Sequence, residues 1–154
     1  MSPIAAVAGC PLRTPLITFG PNVIVVDASV LAVALGDDGA DGQQARQRLA
    51  NEALVAPELV DIEVLSVWRR QVAAKLMPAR RAVSAVADLG DLPLRRSPHQ
   101  PLLQRVWDFR DAVTPYDAAY IALAEALDVA LVTADARLSR ASGVRCVVEV
   151  VGRS

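Results

Sequence analysis

The sequence predicts an α/β domain in which helices cover both faces of a parallel-stranded sheet. Short apolar runs such as Val23-Ile24-Val25-Val26 and Ala130-Leu131-Val132-Thr133 recur along the chain. They have the pattern of strands buried on both faces. These runs alternate with helix-length segments, an order that closes into a parallel sheet covered on both sides. The composition agrees: 53% hydrophobic residues but only 4% aromatic, so Ala, Val and Leu must build the core. A length of 154 residues suits one domain.

The regular pattern starts after Asn22. Residues 1–22 contain Pro3, Pro11, Pro15 and Pro21, a single charged side chain (Arg13) and no period, so they read as an extension outside the fold. Val7-Ala8-Gly9-Cys10 is a poor match to a lipoprotein cleavage site, because a basic start and a sufficient apolar run are missing. The domain proper is expected over residues 23–151. Val23–Val26 is the first strand, and Ala28–Leu35 the helix after it. Asp37-Asp38-Gly39 makes a turn, and Asp41–Glu52 a polar, exposed helix. Leu54-Val55-Ala56 is the second strand, closed by Pro57. A long helix over Glu58–Lys75 follows, then another from Pro78 to about Leu89. Pro93-Leu94-Arg95 is a third strand. Gln100–Ala112 is helical, with Leu103, Val106, Trp107 and Phe109 as packing residues. Thr114-Pro115 opens an apolar helix to Leu127. Ala130–Thr133 is the next strand, a short helix starts at Asp135, and Val144–Val150 is the last strand.

Several kinds of function are excluded by what the chain lacks. Net charge is −1, so no global field draws it to nucleic acid or membrane. Fifteen of the sixteen cations are Arg, which suits bidentate phosphate recognition, although a GC-rich genome produces the same bias. Cys10 and Cys146 lie too far apart for a zinc motif and form no disulfide framework. His99, the one histidine, sits in the loop-like Ser97-Pro98-His99-Gln100-Pro101, which leaves a Ser/His/Asp triad or a histidine-pair nuclease little support. No phosphate-binding glycine loop is present. No apolar run is long enough to span a membrane, and the expected location is the cytoplasm.

What remains is a set of carboxylates. Asp27 ends the first strand and Asp135 follows Val132 by three positions. Ligands of open parallel sheets bind beyond the carboxyl ends of the strands, so both should face one crevice, although Asp is also a common helix cap. Asp117 completes a capping box with Thr114 and Pro115. Capping leaves unexplained why it lies in Tyr116-Asp117-Ala118-Ala119-Tyr120-Ile121-Ala122-Leu123-Ala124, apolar on nearly all sides. A carboxylate on a buried helix requires a partner or a metal. Glu63 has equally apolar surroundings and reads as mid-helix, with only Arg70 as a candidate counter-charge. Glu58 suits the helix dipole, and Asp61 is expected to face solvent. Four acids without His or Cys make a hard-oxygen site suited to Mg²⁺ or Mn²⁺. Such sites hydrolyse phosphodiesters by acidifying a bound water and neutralising transition-state charge.

Four segments, in order, resemble the PIN-domain family, and more closely the VapC toxins of toxin–antitoxin pairs. They are Val25-Val26-Asp27-Ala28-Ser29-Val30, Glu58-Leu59 with Glu63-Val64, Tyr116 to Ala124, and Val132-Thr133-Ala134-Asp135-Ala136-Arg137-Leu138. The resemblance spans Val23 to Val150. It implies a PIN-like α/β/α sandwich and Mg²⁺- or Mn²⁺-dependent endoribonuclease activity, restrained by a VapB-like antitoxin that covers the site. It also implies toxin homodimers and toxin–antitoxin hetero-oligomers. Asp27, Glu63, Asp117 and Asp135 fall on the family's acidic, metal-holding positions, and Ser29 and Thr133 on supporting polar ones. The chain departs from the pattern twice: residues 1–22 have no counterpart, and Arg137 stands where many relatives carry a further carboxylate. Two rivals have less support. A PIN-like module that binds RNA without cutting it would be favoured by loss of acids, and all four are present. An aspartate-based phosphatase or response regulator would need a Lys near a strand end, and Lys75 closes a helix.

Overall fold

A computed structural model describes residues 22–152; the extension lies almost wholly outside them. Five strands, β1 (Val23–Val26), β2 (Ala53–Pro57), β3 (Leu94–Ser97), β4 (Ala130–Thr133) and β5 (Val148–Val150), form one sheet in the order β3-β2-β1-β4-β5. Every pairing is parallel, as the alternation of strands and helices requires. β1 takes the centre because all four of its residues are buried, so it can accept a strand at each edge and a helix layer on each face.

Six helices connect the strands: α1 (Ala28–Gly36), α2 (Ala40–Leu49), α3 (Val60–Ala73), α4 (Ala79–Asp91), α5 (Leu103–Asp108) and α6 (Pro115–Leu127). α1 packs on α2, α3 and α4, whereas α5 packs on α6, and α6 contacts β1, β2 and β4. The chain moves outward from β1 to β3, then crosses back to β4 on the other side of β1. With right-handed crossovers, this reversal sends α1–α4 to one face and α5–α6 to the other. It also makes the gap between β1 and β4 the topological switch point, where the carboxyl ends of two adjacent strands open a crevice.

Local chemistry fixes the helix ends. Thr114 caps α6 by accepting a hydrogen bond from the Asp117 amide, with Pro115 at the first position. At the other end Asp128 adopts the left-handed conformation (φ 54°) that closes the last turn. The last carbonyls of α1 are satisfied by arginines: Arg46 donates to Ala34 and Asp37, and Arg81 to Leu35. Trp68 of α3 is fully buried and donates its indole N–H to the Ala32 carbonyl at 3.0 Å, locking α3 to α1. Within α6, Glu125 is held by Arg105 of α5 and by Arg145 ahead of β5. Burial opposes its charge, but these partners outweigh burial and pull its carboxyl down to about 2.

The sequence locates every element, but several boundaries differ. α3 begins at Val60 rather than Glu58, because the Glu58 amide bonds to the Ser97 carbonyl and prolongs the β2–β3 pairing. Asp61 is not simply solvated: Arg96 of β3 grips both its oxygens at 2.8 and 2.9 Å. Leu103 and Trp107 are 56% and 63% exposed; only Val106 and Phe109 of that expected packing set turn inward, since α5 is too short to bury a complete stripe. The helix after Asp135 is a single 3-10 turn, Leu138–Arg140. β5 starts at Val148 because β4 offers partners only from Leu131 to Thr133. Among the described residues no helix is long and apolar enough to cross a membrane.

Gly42 tests the α1–α2 junction. A Cβ there would lie 1.8 Å from the Asp37 carbonyl oxygen, and that oxygen belongs to backbone already bonded to Arg46. Gly42→Ala should therefore destabilise the domain by about 1–3 kcal/mol from overpacking, more than the helix-propensity gain of about 1 kcal/mol can offset. A lower urea midpoint with an unchanged m-value is the expected result.

Candidate active site

The crevice at the switch point is built around Asp27. Its amide donates to the Val132 carbonyl at 2.9 Å, so the residue continues the β1–β4 ladder and its position is fixed by the sheet. It occupies the cap position of α1 but makes no capping hydrogen bond of normal geometry. Its carboxylate turns instead to two hydroxyls. Ser29 Oγ and Thr133 Oγ1 both donate to Oδ2, at 2.8 and 2.6 Å. Each hydroxyl also accepts an amide from the loop after β4, Ser29 from Ala134 and Thr133 from Asp135, both at 3.0 Å. Thr133 is fully buried and Asp27 only 7% exposed.

Two more carboxylates act on this one. Glu63 lies in the first turn of α3, not mid-helix, because the helix starts late. Its Oε2 accepts a 2.5 Å hydrogen bond from the Tyr120 hydroxyl of α6, a link between the two helix layers. Arg70 is not its partner; that guanidinium reaches Ser66. Asp117 stands one turn before Tyr120 on α6, and its Oδ2 accepts from Thr114 Oγ1 at 2.8 Å, so the capping box forms as the sequence predicts. Burial raises the Asp27 carboxyl above 3.8; the Thr133 and Ser29 hydrogen bonds oppose this, and the Asp117 charge adds to it. Glu63 is raised above 4.5 by burial, against the pull of Tyr120, with the charges of Asp27 and Asp117 adding to the rise. Burial, then the Glu63 hydrogen bond, hold the Tyr120 hydroxyl well above its usual range, so it remains a donor.

Asp27, Glu63 and Asp117 thus share one arrangement. Each has one oxygen held by hydroxyl donors; among the described residues its other oxygen takes no side-chain donor, and none of the three forms an ion pair. By contrast, Glu125, Asp61, Glu52 and Glu149 each engage an Arg. Asp135 belongs with that second group. Arg137 grips both its oxygens, its carboxyl is held below 3.8 chiefly by this hydrogen bonding, and its link to Asp27 runs through Thr133. Asp135, expected among the metal-holding acids, thus differs from the other three in being paired with Arg137. Tyr120 is the site residue that sequence reasoning missed. Its signal is a tyrosine on a buried helix, whose hydroxyl must find a partner.

Among the described residues no three acidic, His or Cys side chains gather closely enough to hold a metal ion between them. The donor set nevertheless fits a hard cation. All available atoms are carboxylate oxygens, one oxygen of each acid takes no side-chain donor, and the carboxylates raise one another's affinity for positive charge. Mg²⁺ is commonly held by one or two carboxylates with water filling its other positions, so a three-acid cage is unnecessary.

The PIN domain family model matches residues 24–144. The chain belongs to the PIN-domain family. A VapC ribonuclease of Mycobacterium bovis is 44% identical over 131 residues, covering 85% of this chain and 100% of the relative. Ribonuclease VapC1 of Mycobacterium tuberculosis is 41% identical over 128 residues, covering 82% and 96%. With relatives this similar along nearly their whole length, the chain is a ribonuclease, and PIN-domain nucleases of the VapC type are metal-dependent. Solved structures share the fold. Mycobacterium tuberculosis VapC20, described as a sarcin–ricin loop cleaving toxin, aligns with a TM-score of 0.56 at 18% identity, over 70% of this chain and 86% of that one. A VapBC2 structure from Rickettsia felis, bound to a promoter DNA fragment, aligns with a TM-score of 0.58 at 11% identity, over 84% and 99%.

The raised Asp27 carboxyl has a consequence for stability. A carboxyl whose folded pKa exceeds its unfolded value favours the native state only when protonated, and that benefit is lost as pH rises from 3.8 through the raised folded value. At pH 7 in EDTA the ionised group is a net cost. Asp27→Asn, whose Oδ1 can still accept from Ser29 and Thr133, should then melt above wild type, and the gap should narrow as pH falls towards 3.8. Wild type melting higher at pH 7 would show the buried charge to be stabilising.

Proposed function

We propose that this chain is the toxin of a toxin–antitoxin pair, a cytoplasmic Mg²⁺-dependent endoribonuclease whose metal sits among Asp27, Glu63 and Asp117, held by one or two of these carboxylates directly and through water by the rest. The observation that carries this reading is the arrangement of those three carboxylates at the switch point, oriented by hydroxyls and without an ion pair among the described residues. Mg²⁺ bound there would supply acidity to a coordinated water and positive charge beside the scissile phosphate; Mn²⁺ has the same donor preference. The chain's own residues do the positioning. Ser29 and Thr133 fix Asp27 through one oxygen and leave the other for the cation. Tyr120 does the same for Glu63, and Thr114 for Asp117. The buried floor of β1 and β4 keeps bulk water from the inner side of the site.

Asp27→Asn or Asp117→Asn should abolish RNA cleavage and growth inhibition while circular dichroism remains native. Thr133→Val, which removes only the orienting hydroxyl, should cost roughly 10–100-fold in metal affinity or rate. In millimolar Mg²⁺, at about 100 times its dissociation constant, wild type should gain about 2.7 kcal/mol of stability and Asp27→Asn much less. Residues 23–151 carry the activity in this reading, so the chain lacking residues 1–21 should cleave at the same rate. Folded Asp117→Asn protein that cleaves at the wild-type rate would remove that residue from the site.

Such an enzyme acts on its own cell's RNA and requires restraint. A cavity of about 830 Å³ runs from Ser29 and Ala134 beside Asp27 along α1, past Val33, Val67, Leu76 and Met77. Its apolar wall, which ends at Ser29 and Ala134 next to Asp27, suits an antitoxin segment with aliphatic anchors and a terminal Arg or Lys that reaches past Ser29 to the carboxylates. Replacing that basic residue in the cognate antitoxin should release cleavage activity in the assembled complex; undiminished inhibition would overturn this mode of restraint.

A further inference from the structure

Asp135 and Arg137 form an arrangement that the three unpaired carboxylates do not explain. The Arg137 guanidinium bonds to Asp135 through Nε, at 3.0 Å from each oxygen, and through Nη2. The Arg137 amide donates to Asp135 Oδ1 as well, at 2.8 Å, so the backbone and the side chain of one residue are fixed by one carboxylate. These bonds use only the inner edge of the fork. Nη1 and the second hydrogen of Nη2 remain, on a side chain that is 79% exposed. A guanidinium held in this way is pre-oriented to offer two parallel donors outward, the geometry that phosphate accepts.

The surroundings say what approaches it. Arg137 lines an open groove of about 810 Å³ that also includes Asp117, Arg140 and Arg110. The proposed metal-holding acid and three arginines thus share one groove. Arg140 is exposed and influences Asp135 by its charge. At the groove's edge Arg110 lies 5.6 Å over the ring of exposed Trp107, a cation and aromatic face of the kind that tolerates any base. The link to the reacting end is short: Thr133 donates to Asp27 and accepts the Asp135 amide, so Asp27 and Arg137 are placed by the same five-residue turn.

We propose that Arg137 binds an RNA phosphate flanking the scissile bond, and that Asp135 is a positioning residue that aims it. The substrate strand then runs from Asp117 along the groove past Arg140 towards Arg110. This rests on the ribonuclease reading for the identity of the ligand, but its geometry is independent of which of Asp27, Glu63 and Asp117 hold the metal.

Equilibrium binding of a labelled single-stranded RNA of about twelve nucleotides, a length that spans such a groove, tests it. The measurement is made on full-length Asp27→Asn protein, so that nothing is cleaved, across a salt series. Adding Arg137→Gln should weaken binding about tenfold and make the slope of log K against log salt shallower by about 0.7, the value of one phosphate contact on a single strand. Asp135→Asn should shift affinity and slope in the same direction, and should cause no further loss once Arg137 is Gln. In the cleaving enzyme Arg137→Gln should raise KM and largely spare kcat. An unchanged slope in Arg137→Gln overturns the proposal. So does Asp135→Asn that abolishes cleavage in the Arg137→Gln background, which would return Asp135 to the metal-holding set. A wild-type protein that binds RNA with this arginine dependence but cuts none would instead refute the proposed activity and leave the phosphate site standing.

Discussion

The structure depends on holding a carboxylate, Asp27, at the end of a strand that is buried on every side. β1 is the central strand, and the Asp27 amide continues its ladder with β4, so the side chain has almost no freedom of position. Burying a charge is costly unless it is compensated, and the compensation here is only partial. Two hydroxyls satisfy one oxygen, while the nearest charges are other acids. Ionised together, these acids repel one another, and in the function proposed above a divalent cation would relieve that repulsion. In that reading, metal dependence has a local cause in this chain.

The neighbouring elements keep that arrangement from relaxing. A basic side chain in reach would discharge it, as Arg105 and Arg145 do for Glu125 and Arg96 does for Asp61. Around Asp27, Glu63 and Asp117 the bonded donors are hydroxyls, which orient a carboxylate without neutralising it. The Tyr120–Glu63 bond also joins the two helix layers, so the geometry of the acids is tied to the packing of the whole domain. Arg137 comes nearest to being an exception, and it is kept on Asp135.

Much of this is legible in the order of residues alone. The apolar runs locate β1, β2 and β4 closely, because strands buried on both faces have few sequence alternatives. The capping box at Thr114, the polar supports Ser29 and Thr133, and the acids at the strand ends are all visible there. The edges are less so. β5 and the segment after Asp135 are set by how far β4 extends as a partner, which no local pattern records. Leu103 and Trp107 look like core residues in sequence and are exposed, because the length of α5 is decided by its packing on α6.

The sharpest contrast lies within α6. Asp117 and Glu125 are both acids on a helix that is otherwise apolar, and the reasoning that singles out one applies equally to the other. Sequence determined the fold class, the order of elements and the family, since hydrophobic period and motif order are local properties that survive being read along the chain. It could not say which acid is paired with an arginine and which keeps an oxygen without a side-chain partner. That depends on the arginines brought alongside by the fold: Arg105 and Arg145 reach Glu125, and Arg137 turns back onto Asp135. Asp27, Glu63 and Asp117 are met by hydroxyls instead. Charge compensation is a through-space property, and only the tertiary structure assigns it.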